Sequence, residues 1–140
     1  MRLVLDASVT MSWLLADGKA SDRHYARGIL EAMKSPDTVA EVPLTWGLEI
    51  ANVLAKAEAR GFVTEAQSEA FLEMLAGIRI HTDVTTLSRS LTDVLHLARR
   101  YRLSSYDASY LELALRNGLP LATLDTDLAK AARKSGVRRA

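Results

Sequence analysis

Short runs of apolar residues alternate along this chain with longer segments in which apolar and polar positions are mixed. Leu3-Val4-Leu5 is an uninterrupted apolar run, as in strands that a parallel sheet buries on both faces. Three further short runs predict strands at residues 39–42, 78–81 and 121–124. Residues 136–137 leave room for only a stub of a fifth strand.

The segments between these runs have helical periodicity. Leu48, Ala51, Leu54 and Ala57 recur at helical spacing, and Gly61 ends that run as a C-terminal cap would. The pattern predicts helices over residues 8–15, 20–34, 45–60, 64–77, 87–102 and 105–117, and a last one ending near 134. Strands separated by helices predict an α/β fold with a doubly wound parallel sheet of four to five strands flanked by helices.

Length and composition restrict the architecture and the chemistry. With 140 residues, 49% of them hydrophobic, and no linker, the chain is expected to form a single domain over residues 1–140. It has no cysteine, which excludes disulfides, thiolate zinc sites and cysteine nucleophiles. No segment approaches the roughly 20 apolar residues that a membrane-spanning helix needs. We therefore expect a cytoplasmic protein.

Charge is nearly balanced overall, with a net charge of +1, so composition alone does not indicate nucleic acid binding. Its distribution is uneven. Basic residues gather at Arg99, Arg100 and Arg102 and again in the tail, at Lys130, Arg133, Lys134, Arg138 and Arg139. Such clusters suit a polyanionic partner, and solvated helix faces produce the same pattern.

Four acidic residues from distant parts of the chain are predicted to meet. Asp6 directly follows the first strand and Asp125 follows the fourth, and ligands of doubly wound sheets bind outside the carboxyl ends of the strands. Helices that connect parallel strands run antiparallel to them, so a helix leading into a strand begins at this same edge. Asp107 lies in the first turn of one such helix and Glu49 in the second turn of another.

Each acid alone has a structural explanation, because a carboxylate near a helix start can cap free backbone N–H groups. Several carboxylates in one cleft would repel each other and raise one another's pKa unless a cation neutralised them. An all-oxygen set of ligands suits Mg²⁺ or Mn²⁺ rather than zinc. The three histidines, His24, His81 and His96, lack ligand spacing and are expected at the surface or the edge of the core.

Four segments resemble the conserved blocks of PIN-domain nucleases, in particular the VapC toxins of type II toxin–antitoxin systems. They are residues 5–9, LDASV; 49–54, EIANVL; 106–111, YDASYL; and 122–125, ATLD. The resemblance spans residues 2 to about 137 and keeps the order of the family's blocks. A lone Asp-Ala-Ser would be a weak signal, whereas four blocks in register are a strong one.

The resemblance implies a PIN-like sheet and a metal-dependent endoribonuclease toxin that hydrolyses RNA and leaves a 5′-phosphate and a 3′-hydroxyl. The catalytic and metal-binding residues would be Asp6, Glu49, Asp107 and Asp125, with Mg²⁺ or Mn²⁺ as cofactor. Ser8, Asn52, Thr123 and Asp127 would support them. The implied partners are RNA, a cognate VapB-like antitoxin and a second copy of the chain in a homodimer.

Two other functions are weighed against this one. A phosphoacceptor receiver domain would need a second acid beside Asp6, where Ala7 stands, and a lysine after its last strand. A catalytically silent PIN-like module would bind RNA or protein without cutting, and only an assay separates it from a nuclease. Trp13 and Trp46 are expected either in the core or lining a partner groove.

Overall fold

A computed structural model describes residues 1–140 and contains four short strands and eight α-helices. The strands are β1 (Arg2–Leu5), β2 (Val39–Pro43), β3 (Ile80–Asp83) and β4 (Leu121–Ala122). The helices are α1 (Ala7–Ser12), α2 (Ala20–Met33), α3 (Trp46–Ala59), α4 (Glu65–Ala76), α5 (Thr86–Arg89), α6 (Leu95–Tyr101), α7 (Ser105–Asn117) and α8 (Thr126–Lys134). A π-helical segment, Ser90–Val94, joins α5 to α6. None of the helices is long and apolar enough to cross a bilayer.

All strand pairs are parallel, in the order β3-β2-β1-β4. The chain first builds the sheet outward from β1 through β2 to β3, and then returns to place β4 on the other side of β1. The reversal of direction creates a switch point between β1 and β4, where doubly wound sheets bind their ligands. This architecture confirms the α/β prediction.

The two faces of the sheet follow from the alternation of side chains along β1. Leu3 and Leu5 lie in one cluster with Ala26, Ile29 and Met33 of α2. Val4 points to the opposite face and packs in a second cluster, formed mainly by α7 and α8. Burial on both faces explains why β1 is an uninterrupted apolar run.

Two strands have boundaries that differ from the sequence prediction. β3 begins at Ile80 rather than residue 78, because Ile78 belongs to the turn that ends α4, where its N–H donates to the carbonyl of Leu75. β4 ends at Ala122, since the chain turns there toward the predicted site. The fifth strand is the expected stub, a single parallel bridge between Leu121 and Arg139.

The helix predicted over residues 87–102 is interrupted by the π-helical segment. Hydroxyls compete for backbone carbonyls here: Ser88 donates to Thr85, Ser90 to Thr86 and Thr92 to Arg89. Such side-chain bonds offer the backbone alternatives to the regular α-helical ladder. Apolar periodicity therefore predicts the extent of this helical segment correctly but does not predict its π-helical interruption.

Both tryptophans are half-buried against the core, and each also lines a surface groove. The Trp13 indole donates to the carbonyl of Ala26 at 2.8 Å. Trp46 contacts all three hydrophobic clusters, and its buried indole N–H has no hydrogen-bond partner. It also lines an apolar groove of about 510 Å³ between α3, α4 and β3. The expected core packing is therefore confirmed, whereas the expected partner contact stays a prediction.

Candidate active site

The carboxyl ends of β1 and β4 bring Asp6 and Asp125 to one edge of the sheet. The Asp6 N–H donates to the carbonyl of Ala122, the last residue of β4, at 3.0 Å. Glu49, one turn into α3, and Asp107, in the first turn of α7, face the same cleft. The charge of Asp6 contributes to raising the pKa of both Glu49 and Asp107, which places the three carboxylates near one another. The convergence predicted from topology is therefore present.

Asp6 is the most buried of the four acids, with 4% of its surface exposed. It occupies the N-cap position of α1, yet its side chain does not cap that helix. Instead, its Oδ2 accepts hydrogen bonds from the hydroxyls of Ser8 at 2.6 Å and Thr123 at 2.7 Å. These two bonds fix the carboxylate. Helix capping, the structural explanation for Asp6, does not account for this geometry.

Ser8 and Thr123 also tie Asp6 to the segment after β4. The Ser8 hydroxyl accepts from the N–H of Leu124, and the Thr123 hydroxyl accepts from the N–H of Asp125, both at 3.0 Å. Because each hydroxyl donates to Asp6 and accepts from the backbone, its orientation is set on both sides. The spacing between Asp6 and Asp125 is thus held by two side chains.

Burial raises the pKa of Asp6, and the charge of Asp125 raises it further, against the lowering effect of the Ser8 and Thr123 hydroxyls. An ionised carboxylate in this position is costly unless a cation compensates it. The site therefore favours either a protonated Asp6 or a bound positive charge.

Glu49 is positioned by a tyrosine from α7. Its Oε1 accepts from the Tyr110 hydroxyl at 3.1 Å and from Thr45 at 3.4 Å. The Tyr110 hydroxyl in turn accepts from the N–H of Ala7, the residue after Asp6, at 3.4 Å. Burial raises the pKa of Glu49 to about 7, and the charges of Asp6 and Asp107 add to the effect of burial. One buried phenol thus links the first and second acidic blocks.

Asp107 and Asp125 complete the cleft from the starts of α7 and α8. Ser104 caps α7 by accepting from the N–H of Asp107, so the Asp107 carboxylate is not needed as the cap. Burial is the main reason that the pKa of Asp107 is raised to about 6, and the charges of Asp125 and Asp6 raise it further. Asp125 does cap α8, accepting from the N–H of Leu128 with Oδ1 at 2.7 Å. The Oδ2 atom of Asp125 does not take part in this cap.

The donor chemistry of the site fits a hard divalent cation, since every side chain there offers oxygen. No three carboxylate or imidazole side chains converge closely enough to form a complete ligand set by themselves. Mg²⁺ is commonly held by one or two carboxylates with water or phosphate oxygens completing its octahedron. With the side chains as placed, an ion in this cleft would need water or phosphate oxygens to complete its coordination.

Two predicted supporting residues lie outside this network. Asn52 is on the exposed side of α3 and its side chain forms no hydrogen bond. Glu49 is instead held by hydrogen bonds from Tyr110 and Thr45. Asp127 is exposed, and its charge contributes to the raised pKa of Asp107 from the rim of the cleft. Tyr110 lies within the block 106–111, but no sequence signal indicates that its hydroxyl would contact Glu49.

The three histidines are all exposed, as expected. His81 lies 3.4 Å from the buried carboxylate of Glu41 on the neighbouring strand, and Glu41 is also paired with Arg2. This cluster lies across β1, β2 and β3, away from their carboxyl ends. None of the histidines belongs to the acidic cleft.

Comparison with known proteins gives matches over nearly the whole chain. Ribonuclease VapC3 from Pyrobaculum aerophilum is 29% identical over 130 residues, which cover 93% of this chain and 94% of that protein. The crystal structure of PAE2754 from Pyrobaculum aerophilum superposes with a TM-score of 0.63 at 25% identity, covering 94% of this chain and 87% of the other.

A toxin-antitoxin complex from Klebsiella pneumoniae contains a chain with the same fold. Its TM-score is 0.57 at 20% identity, and the match covers 89% of this chain and 87% of that chain. At this identity the likeness concerns the fold alone. Finally, the profile of the PIN domain matches residues 3–134, from β1 through α8. The protein therefore belongs to the PIN-domain family, as the four sequence blocks and the acidic edge of its sheet predicted.

Proposed function

We propose that this protein is a divalent-metal-dependent endoribonuclease that acts as the toxin of a toxin–antitoxin pair. The observation that carries the proposal is the state of Asp6. It is a buried carboxylate with one oxygen fixed by two hydroxyls and with further acids around it. The similarity to Ribonuclease VapC3 over most of both chains supports RNA as the substrate.

The chain's own residues would prepare the site and the metal would supply the chemistry. Asp6, Glu49, Asp107 and Asp125 would hold Mg²⁺ or Mn²⁺, while Ser8, Thr123 and Tyr110 orient Asp6 and Glu49. An ion held in such a site lowers the pKa of a bound water and stabilises charge on the attacking and leaving oxygens of a phosphodiester. The protein's contribution is positioning and electrostatics.

The test is cleavage of total cellular RNA by the purified protein with Mg²⁺, with EDTA, and with single Asp→Asn variants. Asp6→Asn and Asp107→Asn should reduce cleavage to the level of buffer alone, with an unchanged circular dichroism spectrum. Asp37→Asn, an exposed acid before β2, should cleave as the wild type does. Products should carry a 5′-phosphate and a 3′-hydroxyl. Full activity in either site variant would refute the assignment.

The alternative function is a silent PIN-like module that binds RNA or protein without cutting. The complete set of four acids and the charge crowding at Asp6 favour a nuclease. RNA binding by the wild type without any cleavage, under Mg²⁺ and Mn²⁺ alike, would favour the silent module.

An antitoxin partner is supported by the fold shared with a chain of the Klebsiella pneumoniae toxin-antitoxin complex. Exposed apolar side chains also gather after β2 and β3, where the N–H of Leu44 donates to Thr86 of α5. They are Leu44, Leu48, Val84, Leu87 and Leu91. We assign this surface to contacts with an antitoxin or with a second copy of the chain in a homodimer. The protein would act in the cytoplasm. Co-purification of a small partner, and gain of RNA cleavage when it is removed, would test the toxin role.

A further inference from the structure

A basic groove lies between the end of α6 and the length of α8. Its volume is about 410 Å³. Four of its lining residues are cationic, one is acidic and one is aromatic: Arg100, Arg102, Lys130, Lys134, Asp127 and Tyr101. None of the four cations forms an ion pair, whereas Arg2, Lys34, Arg89 and Arg116 elsewhere do. Several basic residues outside the groove are also unpaired, so its distinguishing feature is their convergence on one concavity.

The groove begins at the rim of the acidic cleft. Asp127, Lys130 and Lys134 follow each other at spacings of three and four along α8, on one face of the helix. Asp127, at the start of this row, is close enough to Asp107 to raise its pKa. From there to Lys134 the row extends for about 10 Å. A polyanion lying along it would have one end at the carboxylates.

Arg102 gives independent support, because its backbone is strained. It is the C-cap of α6 at φ 54° and ψ 44°, and it is the only residue other than glycine with positive φ. Gly118 has the same left-handed conformation at the end of α7, where glycine avoids the steric cost of a Cβ atom. Because glycine would avoid this cost, the presence of an arginine at this position points to a role for its side chain rather than to a need of the fold. Arg102 lines the groove.

We infer that this groove binds the phosphate backbone of single-stranded RNA and leads it into the acidic cleft. The inference rests on the proposed function. Guanidinium and ammonium groups neutralise phosphates, and the Tyr101 ring, with the Arg100 guanidinium 5.6 Å from its centre, offers an aromatic surface beside them. Binding through the backbone carries no sequence information by itself, so the groove would set orientation and affinity.

The test measures binding of a fluorescently labelled single-stranded RNA in EDTA, in an Asp107→Asn background that does not cut. Lys130→Gln/Lys134→Gln should raise Kd several-fold and flatten the plot of log K against log salt by about 0.7 for each lost phosphate contact. The matched control is Arg60→Gln/Arg79→Gln. It removes the same charge from two exposed positions outside the groove, one at the end of α3 and one just before β3.

Arg102→Gly separates the side chain's role from that of the backbone. Glycine accepts positive φ, so the variant should unfold at the same or a higher temperature than the wild type while binding RNA more weakly. Unchanged RNA affinity in Arg102→Gly would overturn the proposal that this groove binds RNA. So would equal weakening by the two double variants, since that would reflect net charge alone. A wild type that neither binds nor cleaves RNA would instead refute the proposed function itself.

Discussion

Tyr110 connects two of the four acidic blocks through a single hydroxyl. Its ring is fully buried among apolar side chains, and its oxygen bridges the N–H of Ala7 and Oε1 of Glu49. Burial raises its pKa, as do the charges of Asp6 and Glu49, so the phenol stays neutral and remains a donor to Glu49. Glu49 is therefore held by a group that the core itself fixes in place.

Tyr110→Phe should weaken cleavage and metal affinity by about 10- to 100-fold, the usual effect of removing a partner that orients a ligand. It should lower the free energy of unfolding by only about 0.5 to 1.5 kcal/mol, because the ring remains and one hydrogen bond is lost. Cleavage rates and Mn²⁺ binding check the first effect, and urea denaturation checks the second.

The control is Tyr106→Phe on the same helix, where the side chain is 59% exposed and lines no part of the site. It should leave both activity and stability unchanged. Equal activity of Tyr110→Phe and Tyr106→Phe would show that the phenol does not position Glu49.

Residue positions were more predictable than residue contacts. Asp6 and Asp125 follow apolar strands, so topology alone placed them at one edge. Thr123 was identified only by resemblance, and the structure adds the reason, a hydroxyl shared between Asp6 and the N–H of Asp125. Asn52 is exposed and its supporting role stays a prediction, because a position one helical turn from Glu49 does not determine whether a side chain faces the cleft or the solvent.

An ion-pair network joins β3 to α7 behind the site. Arg116 donates to Asp83 at the end of β3, at 2.5 Å, and to Glu112 one turn earlier on α7, at 2.8 Å. Burial would raise the pKa of Asp83, but hydrogen bonds from Arg116 and Thr86 outweigh it, so the net direction is downward. Because α7 also carries Asp107 and Tyr110, this network fixes the helix that supplies one of the four acids and orients Glu49.

Arg116→Leu should lower the free energy of unfolding by about 3 kcal/mol, since it leaves two largely buried carboxylates without a cation. The comparison is Arg89→Leu, whose partner is Asp93. Those two side chains are 43% and 54% exposed, and that loss should stay below about 1 kcal/mol. Urea denaturation at neutral pH measures both. Similar losses in the two variants would mean that burial does not distinguish the pairs.

Secondary-structure elements that local sequence determines were predicted well. Elements whose bounds depend on tertiary contacts were not. The helix predicted over residues 64–77 is present as α4, and Thr64 and Gln67 open it with a capping box whose two hydrogen bonds are both local. β3 shifted by two residues, since its register is set by pairing with β2, from Ala40 opposite Ile80 to Pro43 opposite Asp83. Pairing partners across the sheet cannot be read from one segment alone.

At the scale of the whole molecule, the clustered acids make stability depend on pH. Burial and like charges raise the pKa of Glu49 to about 7 and that of Asp107 to about 6. Between their ordinary values, 4.5 and 3.8, and these raised values, the native state binds more protons than the unfolded state. Stability then falls as pH rises through this window. Asp83 acts in the opposite sense, but only below its ordinary value of 3.8.

The metal-free protein should therefore melt at a higher temperature at pH 5.5 than at pH 8. Mg²⁺ should narrow this difference by stabilising the protein mainly at pH 8, where the carboxylates are ionised. Glu49→Gln should reduce the dependence, because one of the titrating groups is gone. Thermal melts in EDTA and in Mg²⁺ measure these effects. A melting temperature that rises from pH 5.5 to pH 8 in EDTA would contradict the pKa directions.

The whole architecture was the most predictable level. Alternating strands and helices gave a doubly wound parallel sheet, and the matched profile covers residues 3–134. That residues 1–140 fold as one domain remains a prediction, which limited proteolysis would test. The sequence indicates the two basic clusters but not their meeting in one groove, because α6 and α8 are distant in sequence and only the fold places their cations together.

The central claim is that four carboxylates from four blocks form one divalent metal site, and direct Mn²⁺ binding tests it most closely. Free Mn²⁺ measured by electron paramagnetic resonance should show saturable binding to the wild type and to Asp37→Asn. That binding should be lost in Asp6→Asn, whose fold is checked by circular dichroism. Mn²⁺ binding by Asp6→Asn with wild-type affinity would contradict the account.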